Sequence, residues 1–298
     1  MRKKDLLLSP RQLLLRLLWR TARLWPDIVY LKLEGLLSMG YVMDLENPVT
    51  YQEKLNWLKL HYHTPLLTQC VDKYEVKKYV GNIIGNEYIV PTLGCWNQFD
   101  DIDFSTLPDR FVLKCTHDSA SYIIVKDKNK FNINSARKKL EKCLKKSYYY
   151  QHREWPYLNC VRRIIAEPFL DQGDQGPLLD YKFFCFDGEP KFMYISADTS
   201  DEARTDFFDM DFVRLDMRMK DPNSDSYPPK PLKFEEMKTL ARMLSKSFVH
   251  VRVDFYIIKN QVFFGELTFF HNGGVQPIYP AKWNRILGGW MTLPKVLK

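Results

Sequence analysis

Asp254 and Glu266 stand where a β-hairpin would set two carboxylates face to face. Residues 249–258 alternate apolar and polar types, Lys259-Asn260-Gln261 supplies a turn, and residues 262–267 return. With a three-residue loop centred on Asn260, position 254 lies opposite 266, and the two Cβ atoms are roughly 4.5–5.5 Å apart. Like charges that close repel. Either one carboxyl keeps its proton or a cation lies between them, and hard oxygen donors at this spacing suit Mg²⁺.

Other residues could work with such a cation. Lys114 closes an apolar stretch, 111–114, just before a loop that carries His117, Ser119 and Ser121. A lysine there either points at phosphates covered by the loop or is simply solvated. Lys182 sits between Tyr181 and Phe183 on an otherwise apolar run, where it needs a phosphate or acidic partner unless that face is open to water. Glu167, before Pro168, reads as a solvated strand end or as an acceptor for a nucleobase amino group. Asp209-Met-Asp211 and Asp101-Ile-Asp103 match the DxD pattern by which glycosyltransferases hold a metal and a nucleotide sugar. Surface turns are the commoner meaning of such tripeptides. The six histidines include no HExxH, and neither a GxSxG nor a Walker-type GxxxxGK[ST] occurs, which argues against zinc, serine-hydrolase and P-loop chemistry.

The elements that must position these groups are mixed. Asn47-Pro-Val-Thr50 with Glu53 reads as a capping box opening helical residues 47–80, with a second helix at 71–80. Strands are expected at 88–90, 111–114 and 122–125, then a charged helix over 136–149 and a strand over 162–170 broken by Pro168. A Gly- and Asp-rich loop, 171–176, leads to a strand at 180–186, and Asp187-Gly188 turns it into 190–195. Residues 221–231 form a Pro- and Asp-rich linker before a helix at 234–246. Strands and helices without a βαβ repeat make the fold class α+β.

At 298 residues the chain can build two or three subdomains. Its 45% apolar and 27% charged content is that of a folded globular protein. The six cysteines show no paired spacing, and no cleavable signal or long apolar run is evident, so a reducing, cytoplasmic setting is expected. The net charge of +8 looks like a nucleic-acid signature, yet residues 1–24 hold seven basic residues against Asp5 and carry +6 of it. No nucleic-acid partner is expected. After Ser9 as N-cap and Pro10 at the first helical position, Gln12, Arg16, Arg20 and Arg23 fall on one stripe and Leu13, Leu14, Leu17, Leu18, Leu24 and Trp25 on the other. Such a helix, spanning residues 10–25, lies on the anionic inner face of the cytoplasmic membrane or docks on the protein's own body.

Taken in order, several segments resemble the TupA-like branch of the ATP-grasp superfamily. They are Asn47-Pro-Val-Thr-Tyr-Gln-Glu-Lys-Leu-Asn-Trp57, Asp72-Lys-Tyr74, Phe111-Val-Leu-Lys-Cys-Thr-His117, Asp180-Tyr-Lys-Phe-Phe-Cys-Phe-Asp-Gly188, Arg252-Val-Asp-Phe255 and Gly265-Glu-Leu-Thr-Phe-Phe270. The resemblance implies an ATP-grasp fold with the nucleotide held between two α+β subdomains. Its divisions would be an N-terminal basic helical segment (1–46), a helical substrate subdomain (47–110), a subdomain with a phosphate flap (111–170) and one with a metal-binding hairpin (171–298). It further implies ATP contacts by Lys73, Lys114 and the flap residues His117, Ser119 and Ser121, adenine read by Glu167 and the backbone through Leu170, and ribose and phosphate contacts by Asp180 and Lys182. Asp254 and Glu266 would hold Mg²⁺, with Arg252 stabilising the transferred phosphoryl group. Thr268 replaces a common asparagine ligand, so Asn272 is a candidate third ligand, and Ala120 replaces a common flap glycine.

The activity implied is ATP-dependent carboxylate–amine ligation in capsule or other surface-polysaccharide synthesis. A sugar-acid or amino-acid carboxylate would be joined to an amine or sugar acceptor recognised by Arg204, the aromatic stretch around Trp155 and residues 271–274. A metal-dependent glycosyltransferase using Asp209 and Asp211 is the alternative.

Overall fold

The computed structural model describes residues 9–119, 121–171, 178–197 and 204–295. Ala120, the basic residues at 2–4 and residues 172–176 of the expected loop lie outside them.

The N-terminal segment is a helical pair. Helix α1 (Pro10–Arg20) has Ser9 as its N-cap and Pro10 at its first position, as the sequence predicts, and Gln12 completes a capping box with Ser9. Helix α2 (Asp27–Met39) follows and ends on Gly40 in the left-handed conformation. Leu18 and Ala22 pack against Tyr30 and Leu31 in a small satellite core.

Helix α3 (Tyr51–His61) starts at the Thr50–Glu53 capping box. The single helix expected at 71–80 is instead two, α4 (Pro65–Val71) and α5 (Glu75–Ile84). Asp72 causes the break: its Oδ1 accepts from the amides of Tyr74 and Glu75, capping α5 and leaving Lys73 in the turn. Residues 88–90 are not a strand. They form a 3-10 turn and one isolated bridge from Ile89 to Phe264.

Among the described residues nine strands make two antiparallel sheets. The smaller joins β1 (Gly94–Trp96), β2 (Phe111–Cys115), β3 (Tyr122–Val125) and β4 (Ile164–Pro168) in the order β1-β4-β2-β3. The larger joins β5 (Leu179–Phe186), β6 (Glu189–Ala197), β7 (Asp206–Asp209), β8 (His250–Ile258) and β9 (Gln261–Thr268) in the order β7-β6-β5-β8-β9. Helix α6 (Ile133–Leu144) covers the outer face of the smaller sheet, packing Ala136 and Leu140 against Phe111, Leu113 and Cys115. The short α7 (Tyr149–His152) follows it. Helix α8 (Phe234–Ser245) covers the outer face of the larger sheet, with Phe234 against Phe183, and α9 (Lys282–Gly289) packs beside α3.

Residue parity then does the positioning. On β5 the odd residues Tyr181, Phe183 and Cys185 enter the main core. The even residues Asp180 and Lys182 face the other way, toward the smaller sheet. Strand β1 and residues 99–107 also join the smaller body's core, ahead of the expected boundary at 111. Residues 51–84 instead pack on the larger body.

Candidate functional site

The inner faces of the two sheets enclose a cleft of about 680 Å³. Lys73, Lys114, Ser119, Ser121, Glu167, Leu170, Asp180, Lys182, Asp254 and Glu266 all line it, beside the apolar Val90, Val112, Leu178 and Phe264. Three predicted residues are absent from this wall: Arg252 and Asn272, which line a neighbouring cavity, and His117. His117 is buried, with Nε2 donating to the Cys143 carbonyl at the end of α6, because the turn at the end of β2 sends it to the outer face. Its burial pushes the imidazole pKa down.

The hairpin departs from the sequence expectation and still produces the expected pairing. Its loop has two residues, Lys259 and Asn260, both at positive φ, which is the twist a tight hairpin requires. That register alone would put Gly265, not Glu266, opposite Asp254. The ladder shifts by one residue between Val253 and Phe255, so Arg252 pairs with Thr268 and Val253 with Leu267. Gly265 sits in the bulge with no space for a side chain: a Cβ there would lie 3.1 Å from the Asp254 carbonyl oxygen. Asp254 and Glu266 are thereby brought back together.

A cation does lie between them, and it is Arg252. Its Nη2 is 2.6 Å from Asp254 Oδ2 and 2.7 Å from Glu266 Oε1, while Nε donates to Asp254 Oδ1 at 2.7 Å. Lys182, opposite Asp254 in the ladder, reaches Oδ2 at 2.8 Å and Asp180 at 3.1 Å. Burial would raise the Asp254 carboxyl, but Arg252 and then Lys182 outweigh it and hold it down at about 2. The same pairing overrides the burial of Lys182 and keeps that ammonium charged. Burial lifts Asp180, with Lys182 opposing.

Two carboxylate oxygens converge here on one cationic nitrogen, which is part of the oxygen donor set a hard divalent cation takes, and Arg252 holds the point between them. Thr268 donates to Glu266 Oε1 at 2.9 Å. Asn272 instead meets His271 Nε2 at 3.1 Å, and His271 Nδ1 accepts from Arg252 at 2.7 Å. Asn272 thus reaches the guanidinium through His271, three hydrogen bonds from either acid.

The flap base and the hinge are also crosslinked. Lys73 Nζ donates to the carbonyls of Asp118 and Cys115, and burial lowers its pKa. Both Glu167 oxygens are taken, Oε1 by Lys77 at 2.7 Å and Oε2 by Lys114 at 2.6 Å. Its carboxylate therefore restrains two lysines at the cleft wall. Lys77 is a cleft residue that sequence reading missed. It lies one helical turn after Lys73, a spacing that means something only once α5 is known to border the cleft.

A second cavity of about 300 Å³ shares Lys73, Ser119, Gly265 and Glu266 with the cleft and extends past Arg252, Thr268 and Asn272. Tyr148, His152, Glu154 and Tyr157, from the aromatic stretch around Trp155, line it with Gly273. Arg204 does not; it bonds the Asn223 carbonyl. The two DxD tripeptides are turns outside both cavities, Asp209 accepting from the amides of Asp211 and Val213 and Asp103 from that of Ser105. They give the glycosyltransferase alternative no site.

A lysine-rich, acid-bearing cleft between two antiparallel sheets is the arrangement that the resemblance to ATP-grasp proteins implies. The family described as TupA-like ATPgrasp matches residues 53–292, and the chain belongs to that family and has its ATP-grasp fold. No curated protein matches the chain. Among solved structures it is similar to D-alanine–D-alanine ligase from Helicobacter pylori (15% identity, 75% of this chain and 61% of that one, TM-score 0.42). It is also similar to the Bacillus anthracis enzyme of that name (16%, 67% and 57%, TM-score 0.38). A third is N5-carboxyaminoimidazole synthase from Aspergillus clavatus (10%, 76% and 49%, TM-score 0.38). The chain spans 61% or less of the length of each of these. The family assignment rests on the sequence match alone.

Proposed function

We propose that the chain is an ATP- and Mg²⁺-dependent carboxylate–amine ligase. The carboxylate would come from a sugar acid or amino acid, and the setting the resemblance implies is capsule or other surface-polysaccharide synthesis. The observation that carries the reading is the convergence of Asp254 and Glu266 on one point, with Lys73, Lys114 and Lys182 lining the same cleft. Three lysines offset the charge of a triphosphate, and the apolar wall suits a purine base. Asp254 and Glu266 would hold Mg²⁺, whose role is to neutralise charge as the γ-phosphoryl group moves. Ser119 and Ser121, on the loop that Lys73 anchors, would close over the phosphates, and Arg252 would turn from the acids to the moving phosphoryl group.

Thermal-shift and calorimetric titration with ATP, UDP-sugars and GDP-sugars, each with Mg²⁺, tests this. ATP should bind best, and Asp254→Asn should weaken it at least tenfold. A nucleotide-sugar preference, or unchanged ATP binding by Asp254→Asn, overturns the reading.

We also propose that residues 10–25 rest on the inner face of the cytoplasmic membrane. Among the described residues no helix is long and apolar enough to cross a membrane. Helix α1 docks on the body through Leu18, yet Leu13, Leu14 and Leu17 are each more than half exposed and Leu24 is 79% exposed, with Arg16 and Arg20 in solvent beside them. That combination supports contact with anionic lipid.

A further inference from the structure

We infer that the 300 Å³ chamber behind Glu266 is the acceptor site, that its ligand is a primary amine bound as the ammonium ion, and that Glu154 is the carboxylate that pairs with it and takes its proton. This deepens the ligase reading and rests on it.

The chamber and the cleft meet at Lys73, Ser119, Gly265 and Glu266, where the reacting phosphoryl group would lie. A molecule in the chamber therefore approaches the carboxylate being activated from the side away from the nucleotide. The chamber is closed behind by Tyr148 and Tyr157, whose rings meet edge to face at 4.7 Å. Glu154 is 6% exposed, and among the described residues none donates a hydrogen bond to its carboxylate. A buried carboxylate left without a donor is costly unless a ligand supplies one.

The chain is strained to put it there. Arg153, just before it, adopts a left-handed backbone (φ 57) that costs a non-glycine residue about 1 kcal/mol. The N-terminal pair holds this conformation: Arg153 forms an ion pair with Asp27 at 2.9 Å and donates to the Trp25 carbonyl at 3.0 Å, and its guanidinium lies 4.2 Å over the Tyr30 ring. Strain held by so many contacts marks a position the fold is built to keep. His152, on the other side, is fixed at 2.9 Å by the buried Glu34.

The surrounding charges suit proton transfer. Burial raises the Glu154 carboxyl to about 7, with Lys59 and His152 pulling it back and Glu34 and Glu266 adding to the rise. A carboxylate of that basicity accepts a proton from an ammonium group near neutral pH far better than an exposed one. One ammonium proton passes to Glu154. The nitrogen lone pair then attacks the acyl-phosphate carbonyl carbon, the C–N bond forms, and the C–O bond to phosphate breaks. The bond pair leaves with phosphate, which takes the second nitrogen proton.

The test uses the full chain with Mg²⁺ and a non-hydrolysable ATP analogue. Glucosamine, D-alanine and ethanolamine are titrated calorimetrically beside their N-acetyl forms, in which the nitrogen carries an acetyl group and no positive charge. At least one amine should bind tenfold or more tightly than its N-acetyl form, and Glu154→Gln should erase that difference while nucleotide affinity stays within about twofold. Equal binding of the two forms, no binding by any amine, or an undiminished preference in Glu154→Gln overturns the inference. Failure of the nucleotide analogue to bind counts instead against the ligase reading.

Discussion

Arg252 and Glu266 form an ion pair of 2.7 Å in which the guanidinium occupies the place a metal would take between Glu266 and Asp254. Arg252 and Mg²⁺ should therefore compete. Arg252→Met leaves the buried Asp254 with Lys182 alone and should cost about 3 kcal/mol, since removing one member of a buried pair strands the other. Millimolar Mg²⁺ should restore part of that loss in the variant and do little for the parent. Urea unfolding with and without Mg²⁺ measures both, and equal responses in the two proteins would sink the idea of a shared position.

Glu167 carries a second prediction. Its two oxygens hold Lys77 and Lys114 at 2.7 and 2.6 Å, and its own pKa stays low because those lysines outweigh its burial. Glu167→Gln leaves two neighbouring ammonium groups without their counter-charge, so the ligand-free protein should lose about 3 kcal/mol. ATP, bringing negative charge to the same wall, should then raise the variant's Tm more than the parent's. A loss under about 1 kcal/mol would mean that the lysines are satisfied by solvent.

Local signals were legible in the sequence wherever a few neighbouring residues decide the structure. The Ser9 N-cap, the Thr50–Glu53 capping box and the Asp187-Gly188 turn follow from local types and spacing. The agreement on the facing of Asp254 and Glu266 is partly accidental, since a loop one residue shorter is offset by a bulge at Gly265 that no local pattern announces. Asp72 breaking a helix could have been read, because an aspartate that caps the following turn is a recognisable signal. Strands β1 and β7, three and four residues long at sheet edges, carry too little alternation to be seen. Glu154 was beyond reach for another reason: its character comes from Lys59, His152 and Glu34, which only the tertiary fold brings near.

The N-terminal pair gives a prediction independent of the nucleotide site. Leu14→Glu with Leu17→Glu should reduce binding to phosphatidylglycerol-containing vesicles at least ~30-fold, because each leucine removed from the interface forfeits roughly 1.5–3 kcal/mol. Both side chains are more than half exposed, so the fold should be unaffected by circular dichroism. Added salt should weaken the parent's binding. Unchanged sedimentation of the variant with vesicles, or equal binding to pure phosphatidylcholine, would assign α1 to docking on the protein alone.

Glu154 gives a prediction about stability with a definite sign. Its folded carboxyl, raised to about 7, lies above the unfolded value of roughly 4.3. Between these values the folded state binds more protons than the unfolded, so the contribution to stability is fully present below pH ~4.3 and is lost as pH rises through about 7. Above that, folding must hold a buried, unbonded carboxylate. Glu154→Gln removes this burden, so the variant should be more stable than the parent at pH 8, by up to ~4 kcal/mol at 1.36 kcal/mol per unit of pKa, with the gap closing toward pH 5. Lys59, whose burial lowers its ammonium to about 8, titrates above this window and is common to both proteins. Melting curves of the two proteins from pH 5 to pH 8 read the difference directly. A gap that is flat with pH, or a variant less stable at pH 8, would show that a fixed donor satisfies Glu154 within the fold and that the chamber does not hold it in reserve for an ammonium ligand.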